Sequence, residues 1–429
     1  MVVAVFIYLF FALAVFLVMR MRRDFIFILP LFNVLADISF SYFEGFSAGS
    51  ILRAVVLAIF LLMFWDQLIK VDILKSLYLF FLYISLLLLF SGEFLMSLKT
   101  VVQVILSMSM FIVGYRYITN YVRYQKLLNN LTWVILAGLL ATVVGYIFDI
   151  GKTLEYTANI NHEGNEEYIG LLGSGSLYGP ALALALLPLI TKSSEEKILQ
   201  RLLWIFSAVL YIFIILNVRR TVILIPITGL VVFMIFTKGH TLILRYMLFS
   251  ALLIMLLAPV YRPLLEKRFE VRAESGRFEK GFLKSELRYK ENIILLQEVK
   301  EFKEPLAILF GIGNNIFAEH VNNGKIVRRM YHSDSAKLVY GTGLFGFALY
   351  LVIYGQMLYL ILKIPRVKIL NEYRTGALVV WIISLIVSFN GSITLVTFRS
   401  LSFLLIGTFL GMANAVYKSH GAVLAVTKR

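Results

Sequence analysis

LLWIFSAVLYIFIILNVRRTVILIPITGLVVFMIF, residues 202–236, is the stretch whose reading decides the fold. Two apolar runs, 202–218 and 221–237, flank one pair of arginines, Arg219 and Arg220. Each run approaches the ~20 apolar residues that a helix needs to cross a bilayer core. Hydrocarbon offers no partner to a backbone amide, so each run must satisfy its own amides as a helix. The connection is too short for anything but a tight turn. The segment therefore reads as a transmembrane hairpin with two guanidiniums at its tip.

Outward from this hairpin the same pattern recurs. About thirteen spans follow, near 2–19, 25–43, 50–65, 74–92, 98–118, 128–149, 171–191, 202–218, 221–237, 241–260, 336–362, 376–390 and 397–417. The chain has 429 residues, 60% hydrophobic and 15% charged, with a mean hydropathy of +0.85. Soluble domains carry about 25% charged residues, so the apolar excess must face lipid. The fold class that follows is an all-α polytopic membrane protein of about 12–13 transmembrane helices with one large outer-face loop. Its regions are a helix bundle over 1–261, the loop with a surface helix over 262–335, and C-terminal transmembrane helices with a cytoplasmic tail over 336–429.

The formal charge of +16 does not point to nucleic acid, because no basic patch is interleaved with stacking aromatics. The lysines and arginines sit mostly in every second short loop, as in Arg20/Arg22/Arg23, Arg116/Arg123/Lys126 and Lys363/Arg366/Lys368. That is the positive-inside pattern, in which membrane lipid headgroups meet the basic loops, and it puts the C-terminus in the cytoplasm. The start, MVVAVFIYLFFALAVFLVM, has no basic residue before it and three arginines after it, so it reads as a retained helix with its N-terminus outside. There is no cysteine, which excludes disulfides and thiolate chemistry, and the five histidines form no zinc motif. No cofactor is expected.

The stretch from Arg262 to Asp334 spans roughly 70 residues, far beyond an ordinary connection. Its middle, SELRYKENIILLQEVKEF, places Leu287, Ile294, Leu295, Val299 and Phe302 near helical spacing, with Pro305 beyond its end. An amphipathic helix on the membrane surface is expected there. Gly311-Ile312-Gly313 lacks the strand and helix of a dinucleotide fold, so a tight turn returning the chain to the bundle is the better reading. Gly341-Thr342-Gly343 and Gly346 fit close helix packing.

Four residues at three places could carry chemistry. Arg219 and Arg220 either bind a lipid-linked phosphate or pyrophosphate or snorkel to headgroups. Arg288, early in the loop helix, either converges on the same anion or belongs to a solvated face with Lys290, Glu291 and Glu298. His332, just ahead of the span from Ala336, is either a general base toward a hydroxyl or a surface histidine, with Ser333 or Asp334 as the cap. No Asp-x-Asp motif of the kind that holds a metal with a sugar nucleotide is present, and no metal is expected.

Arg288-Tyr289-Lys290, Pro305, GIGNNIF at 311–317, His332-Ser333-Asp334-Ser335 and GTGLFGFALYL at 341–351 together resemble the C-terminal signature of the O-antigen polymerase and ligase superfamily. The upstream Arg219/Arg220 pair fits it too. The resemblance implies a GT-C-like bacterial inner-membrane enzyme that is a metal-independent, inverting glycosyltransferase of polysaccharide biosynthesis. Its partners would be an undecaprenyl-pyrophosphate-linked oligosaccharide donor and acceptor and, through the family alone, a chain-length regulator protein. Carried over by position, Arg219 or Arg220 and Arg288 bind the pyrophosphate and stabilise its departure, and Arg288 and His332 are the catalytic pair, with His332 serving the acceptor hydroxyl. The family keeps about twelve spans and both termini in the cytoplasm, one span fewer than the scan counts.

The leading expectation is an O-antigen or capsule polymerase. An O-antigen ligase, which transfers glycan to lipid A core, is the enzyme alternative. A flippase of lipid-linked glycans is the alternative of another class. It calls for interrupted helices and ionisable groups near the bilayer midplane, and Asp37 and Arg53 are the residues that stand out.

Overall fold

The computed structural model describes residues 2–41, 47–92, 94–148, 152–153, 168–172, 176–193, 197–216, 220–237, 305–311, 333–390 and 393–427, with scattered helical residues between 244 and 266. The expected span at 241–260 and the expected amphipathic helix within 285–302 fall largely or wholly outside these residues.

In the first half of the chain, α1 (Val2–Met21) passes through a 3-10 turn (Arg22–Phe27) into α2 (Leu29–Ser41). Then come α3 (Ser47–Leu62), the single turn α4 (Trp65–Leu68) and α5 (Lys75–Leu87). Two long helices follow, α6 (Phe94–Tyr117) and α7 (Tyr121–Ile147). Among the described residues five helices are long and apolar enough to cross a membrane: Phe94–Tyr117, Tyr121–Gly145, Asp334–Lys363, Lys368–Phe389 and Val396–Ser419. Five shorter apolar helices accompany them. Large apolar side chains cover the outside, among them Phe90, Leu95 and Leu140, each more than half exposed. Such a surface is stable against acyl chains and not against water. The protein is a polytopic helical membrane protein.

The expected span at 171–191 is interrupted. A two-stranded antiparallel ribbon, β1 (Lys152–Thr153) and β2 (Tyr168–Gly170), precedes it and is the departure from helix among the described residues. The Leu171 amide donates to the Ala141 carbonyl and so ties the ribbon to α7. The apolar run then forms α8 (Tyr178–Ala185) and α9 (Leu187–Ser193), parted at Leu186. Pro188 has no amide to continue the ladder across that joint. All eight residues of α8 are buried, so this apolar run faces protein rather than lipid. Beyond it lie α10 (Lys197–Leu216) and α11 (Arg220–Phe236), the two arms of the arginine hairpin.

The C-terminal part supplies α12 (Pro305–Phe310), α13 (Asp334–Lys363), α14 (Lys368–Asn390) and α15 (Val396–Thr427). Helix α15 is the axis of the molecule: its apolar window is wholly buried. Gly407 and Gly411 let it lie directly on α6, because a Cβ at either position would collide with the carbonyl oxygens of Phe111 and Tyr115. Small residues one turn apart make such an approach possible, and dispersion holds it.

The loops read as basic come together at one end. Arg23 pairs with Asp66, Arg116 with Asp72 and Lys192 with Glu372. Tyr124 also donates to Glu372, at 3.0 Å. These contacts link the 20–23, 65–72, 116–124, 192 and 372 regions, so the alternate loops share one face.

Candidate functional site

His332, Arg288 and Arg219 lie outside the described residues. Arg220 is placed as the first residue of α11, and only its backbone position is described. What the structure describes is the frame on either side of 312–332, the part of the loop that contains His332.

On the upstream side, Pro305 opens α12, where its missing amide costs nothing. The helix ends at Gly311, whose φ of +101° is readily available to glycine alone. A Cβ on Gly311 would run into the Gly341 carbonyl, and one on Gly343 would run into Leu309 and Gly311. Two glycine backbones therefore interlock α12 with α13. Tyr83 of α5 closes the joint by donating to the Thr342 carbonyl at 2.6 Å and to the Phe310 carbonyl at 3.2 Å.

On the downstream side, Ser333 caps α13: its extended backbone and its hydroxyl, 3.2 Å from the Ala336 amide, satisfy an otherwise orphaned donor. Helix α13 is not straight. Gly343 has φ +67° and ψ −176°, outside the helical region. The consequence shows in one bond: the Tyr350 hydroxyl donates to Asp334 Oδ2 at 2.7 Å, although the two residues are 16 apart. In a straight helix they would be about 24 Å apart. The chain therefore folds back at Gly343. Residues 334–342 form a short arm whose N-terminus points into the bundle, and the residue before its cap is His332.

Asp334 meets Arg399 there. Both side chains are 1% exposed. Arg399 also donates to the Tyr354 hydroxyl at 2.9 Å, the Ser388 hydroxyl at 3.3 Å and the Ser384 carbonyl at 3.4 Å. Lys337, one turn beyond Asp334, is buried as well. Among the described residues the cluster joins Asp334 and Arg399, with Lys337 near Asp334, beside the positive end of the α13 arm. Asp334 Oδ1 and Arg399 Nε have no hydrogen-bond partner among the described residues. Taking such charges out of water costs several kcal/mol per ion, so a sequence keeps them in an apolar bundle for structural specificity or for chemistry.

A second buried pair adjoins it. Asp37 of α2 and Arg53 of α3, the two ionisable residues that stand out in the spans, form an ion pair at 2.6 Å. Thr397 donates to Asp37 at 2.5 Å and accepts from Arg53 at 3.2 Å, and Asn33 donates to Ser400 at 3.0 Å. The first turn of α15 therefore carries both clusters, Thr397 in one and Arg399 in the other. Neither Arg399 nor Lys337 stands out in a hydropathy reading. The signal that marks them is a lone cation inside an apolar run, VTFRSLSFLL and SAKLVY. Among the described residues no group of three or more His, Asp and Glu side chains is placed to hold a metal ion. In comparisons with known proteins, no family model and no curated protein matches the chain.

Proposed function

We propose that the protein is a polysaccharide polymerase that transfers an undecaprenyl-pyrophosphate-linked glycan to a lipid-linked acceptor repeat unit at the outer face of a bacterial plasma membrane. The observation that carries the reading is the ordered set Arg219/Arg220, Arg288, GIGNNIF and His332 ahead of GTGLFGFALYL. What supports it in the fold is the frame around residues 312–332. One side is interlocked with Gly343, and the other is capped by Ser333 and carries the buried Asp334–Arg399 pair with Lys337 near it. Such a frame suits a reaction in which a pyrophosphate departs and positive charge must meet it.

In this reading the acceptor hydroxyl gives its proton to His332 as its oxygen attacks the anomeric carbon. The bond from that carbon to the pyrophosphate oxygen breaks, and the leaving pyrophosphate is held by Arg288 with Arg219 or Arg220. Configuration inverts in a single displacement. The test is purified protein in nanodiscs with the host's lipid-linked repeat unit. A ladder of lengthening glycans is expected, and His332→Ala lowers its rate by about 100-fold or more with the thermal midpoint unchanged. Transfer only to added lipid A core would turn the reading to the ligase.

A flippase of lipid-linked glycans is the second reading. It is favoured by the break in α13 at Gly343 and by the buried Asp37–Arg53 and Asp334–Arg399 pairs, since discontinuous helices and buried ions recur at transport sites. Vesicles with a labelled lipid-linked glycan in one leaflet separate the two: translocation without glycosidic bond formation would replace the enzyme with a transporter.

A further inference from the structure

At the basic end of the bundle, away from the loop frame, lies a cavity of about 780 Å³. Its polar rim is Arg22, Arg23 and Arg123, and its wall is three methionines, Met19, Met21 and Met63. Asp24 is the carboxylate in the lining, and Tyr117 occupies it with a hydrogen bond of 2.6 Å while Lys126 stands 4.0 Å away. Arg23 is held by the Met63 carbonyl at 2.8 Å and by Asp66. Arg123 is held by the Tyr117 carbonyl at 3.1 Å and lies over the Tyr117 ring. Both are thus fixed: Asp66 offsets the charge of Arg23, whereas Arg123 meets no carboxylate among the described residues.

Arg22 is different. It is exposed, and among the described residues its side chain makes no hydrogen bond or ion pair. Its backbone is left-handed, with φ +54°. An L-residue takes that conformation at a cost in free energy, and glycine takes it freely. Met19, also in the lining and in the last turn of α1, is 57% exposed. The cavity therefore combines guanidiniums with a polarisable, adaptable apolar lining, part of it exposed at the end of a membrane helix. A free phosphate would use the rim and leave the wall unused.

We propose that this cavity binds the phosphate headgroup of an anionic glycerophospholipid, with Arg22 as the ligating guanidinium, Arg23 and Arg123 as fixed supporting charges, and the first acyl carbons against Met19, Met21 and Met63. Basic pockets between membrane helices take such headgroups because the anion is already concentrated at that surface. The site is separate from the outer-loop chemistry and does not depend on it.

Native mass spectrometry of the full chain in detergent, titrated with phosphatidylglycerol or phosphatidylcholine of matched acyl chains, reads it directly. Phosphatidylglycerol should be retained about tenfold better. Arg22→Gly is the decisive variant, because it removes the guanidinium while relieving the backbone: preference should fall about tenfold, with a thermal midpoint equal to or above that of the parent. Arg123→Gln should weaken binding too, whereas Arg20→Gln, outside the cavity, should not. Equal retention of the two lipids, or a preference untouched by Arg22→Gly, would overturn the proposal. Displacement of the lipid by inorganic phosphate at equal concentration would overturn it as well, by identifying a soluble anion site.

Discussion

Arg399 and Asp334 show what a single buried charge does in this fold. Removing one partner leaves the other ionised and unpaired, so Arg399→Ala should destabilise the protein by about 3–5 kcal/mol. The joint replacement of Arg399 by Met and Asp334 by Leu should recover at least half of that, since apolar groups of similar volume tolerate the site. Thermal unfolding of the three proteins in one detergent checks both statements, and a single variant as stable as the parent would remove the ion pair from any structural role. The sequence reading passed over Arg399, although a cation inside an apolar run is the signal that marks it. Its pairing with Asp334 carries no such signal, because pairing across 65 residues depends on how α13 folds back and on how deep α15 begins. His332 and Arg288 are the reverse case: order and spacing singled them out, and they lie outside the described residues.

At the scale of elements, glycine position decides the result of one and the same substitution. Gly343→Ala places a side chain at φ +67° and against the α12 backbone. It should cost at least ~2 kcal/mol and release α12, read as faster proteolysis within the 262–335 loop. Gly355→Ala, in the second arm of the same helix with nothing near its Cβ, should instead raise stability by up to about 1 kcal/mol. If both variants behaved alike, the fold-back at Gly343 would be wrong. Hydropathy reads 336–362 as one span and is blind to this break, since glycine is apolar enough to pass in either conformation. The sequence reading took 171–191 as one span although Pro188 stands in it, so both the joint between α8 and α9 and the depth of α8 inside the protein come from the structure.

At the scale of the molecule, the contacts that gather the basic loops at one end make topology a direct test. The chain has no cysteine, so single introduced thiols report cleanly. Under the positive-inside rule, Lys70→Cys at the basic end should resist a membrane-impermeant maleimide in intact cells. Gly92→Cys, beyond the opposite end of α5, should react; the reverse pattern would invert the proposed orientation of the loop. A bulky residue at Gly407 tests the axis of the bundle. Gly407→Leu cannot keep α15 on the Phe111 carbonyl, so the helices must separate, and loss of the parent's elution peak in gel filtration is expected.

Pattern along the chain was enough to establish a membrane protein, its helical class and the gathering of its basic loops at one end. Each of these follows from solvent preference residue by residue, and lipid imposes that preference locally. The inward turn of the α13 arm, the meeting of Asp334 with Arg399 and of Asp37 with Arg53 and Thr397, the central burial of α15 and the methionine-walled basic cavity arise from packing. They depend on which helix faces which, and that choice rests on the small residues and ion pairs that distant segments present to one another once the helices are already formed.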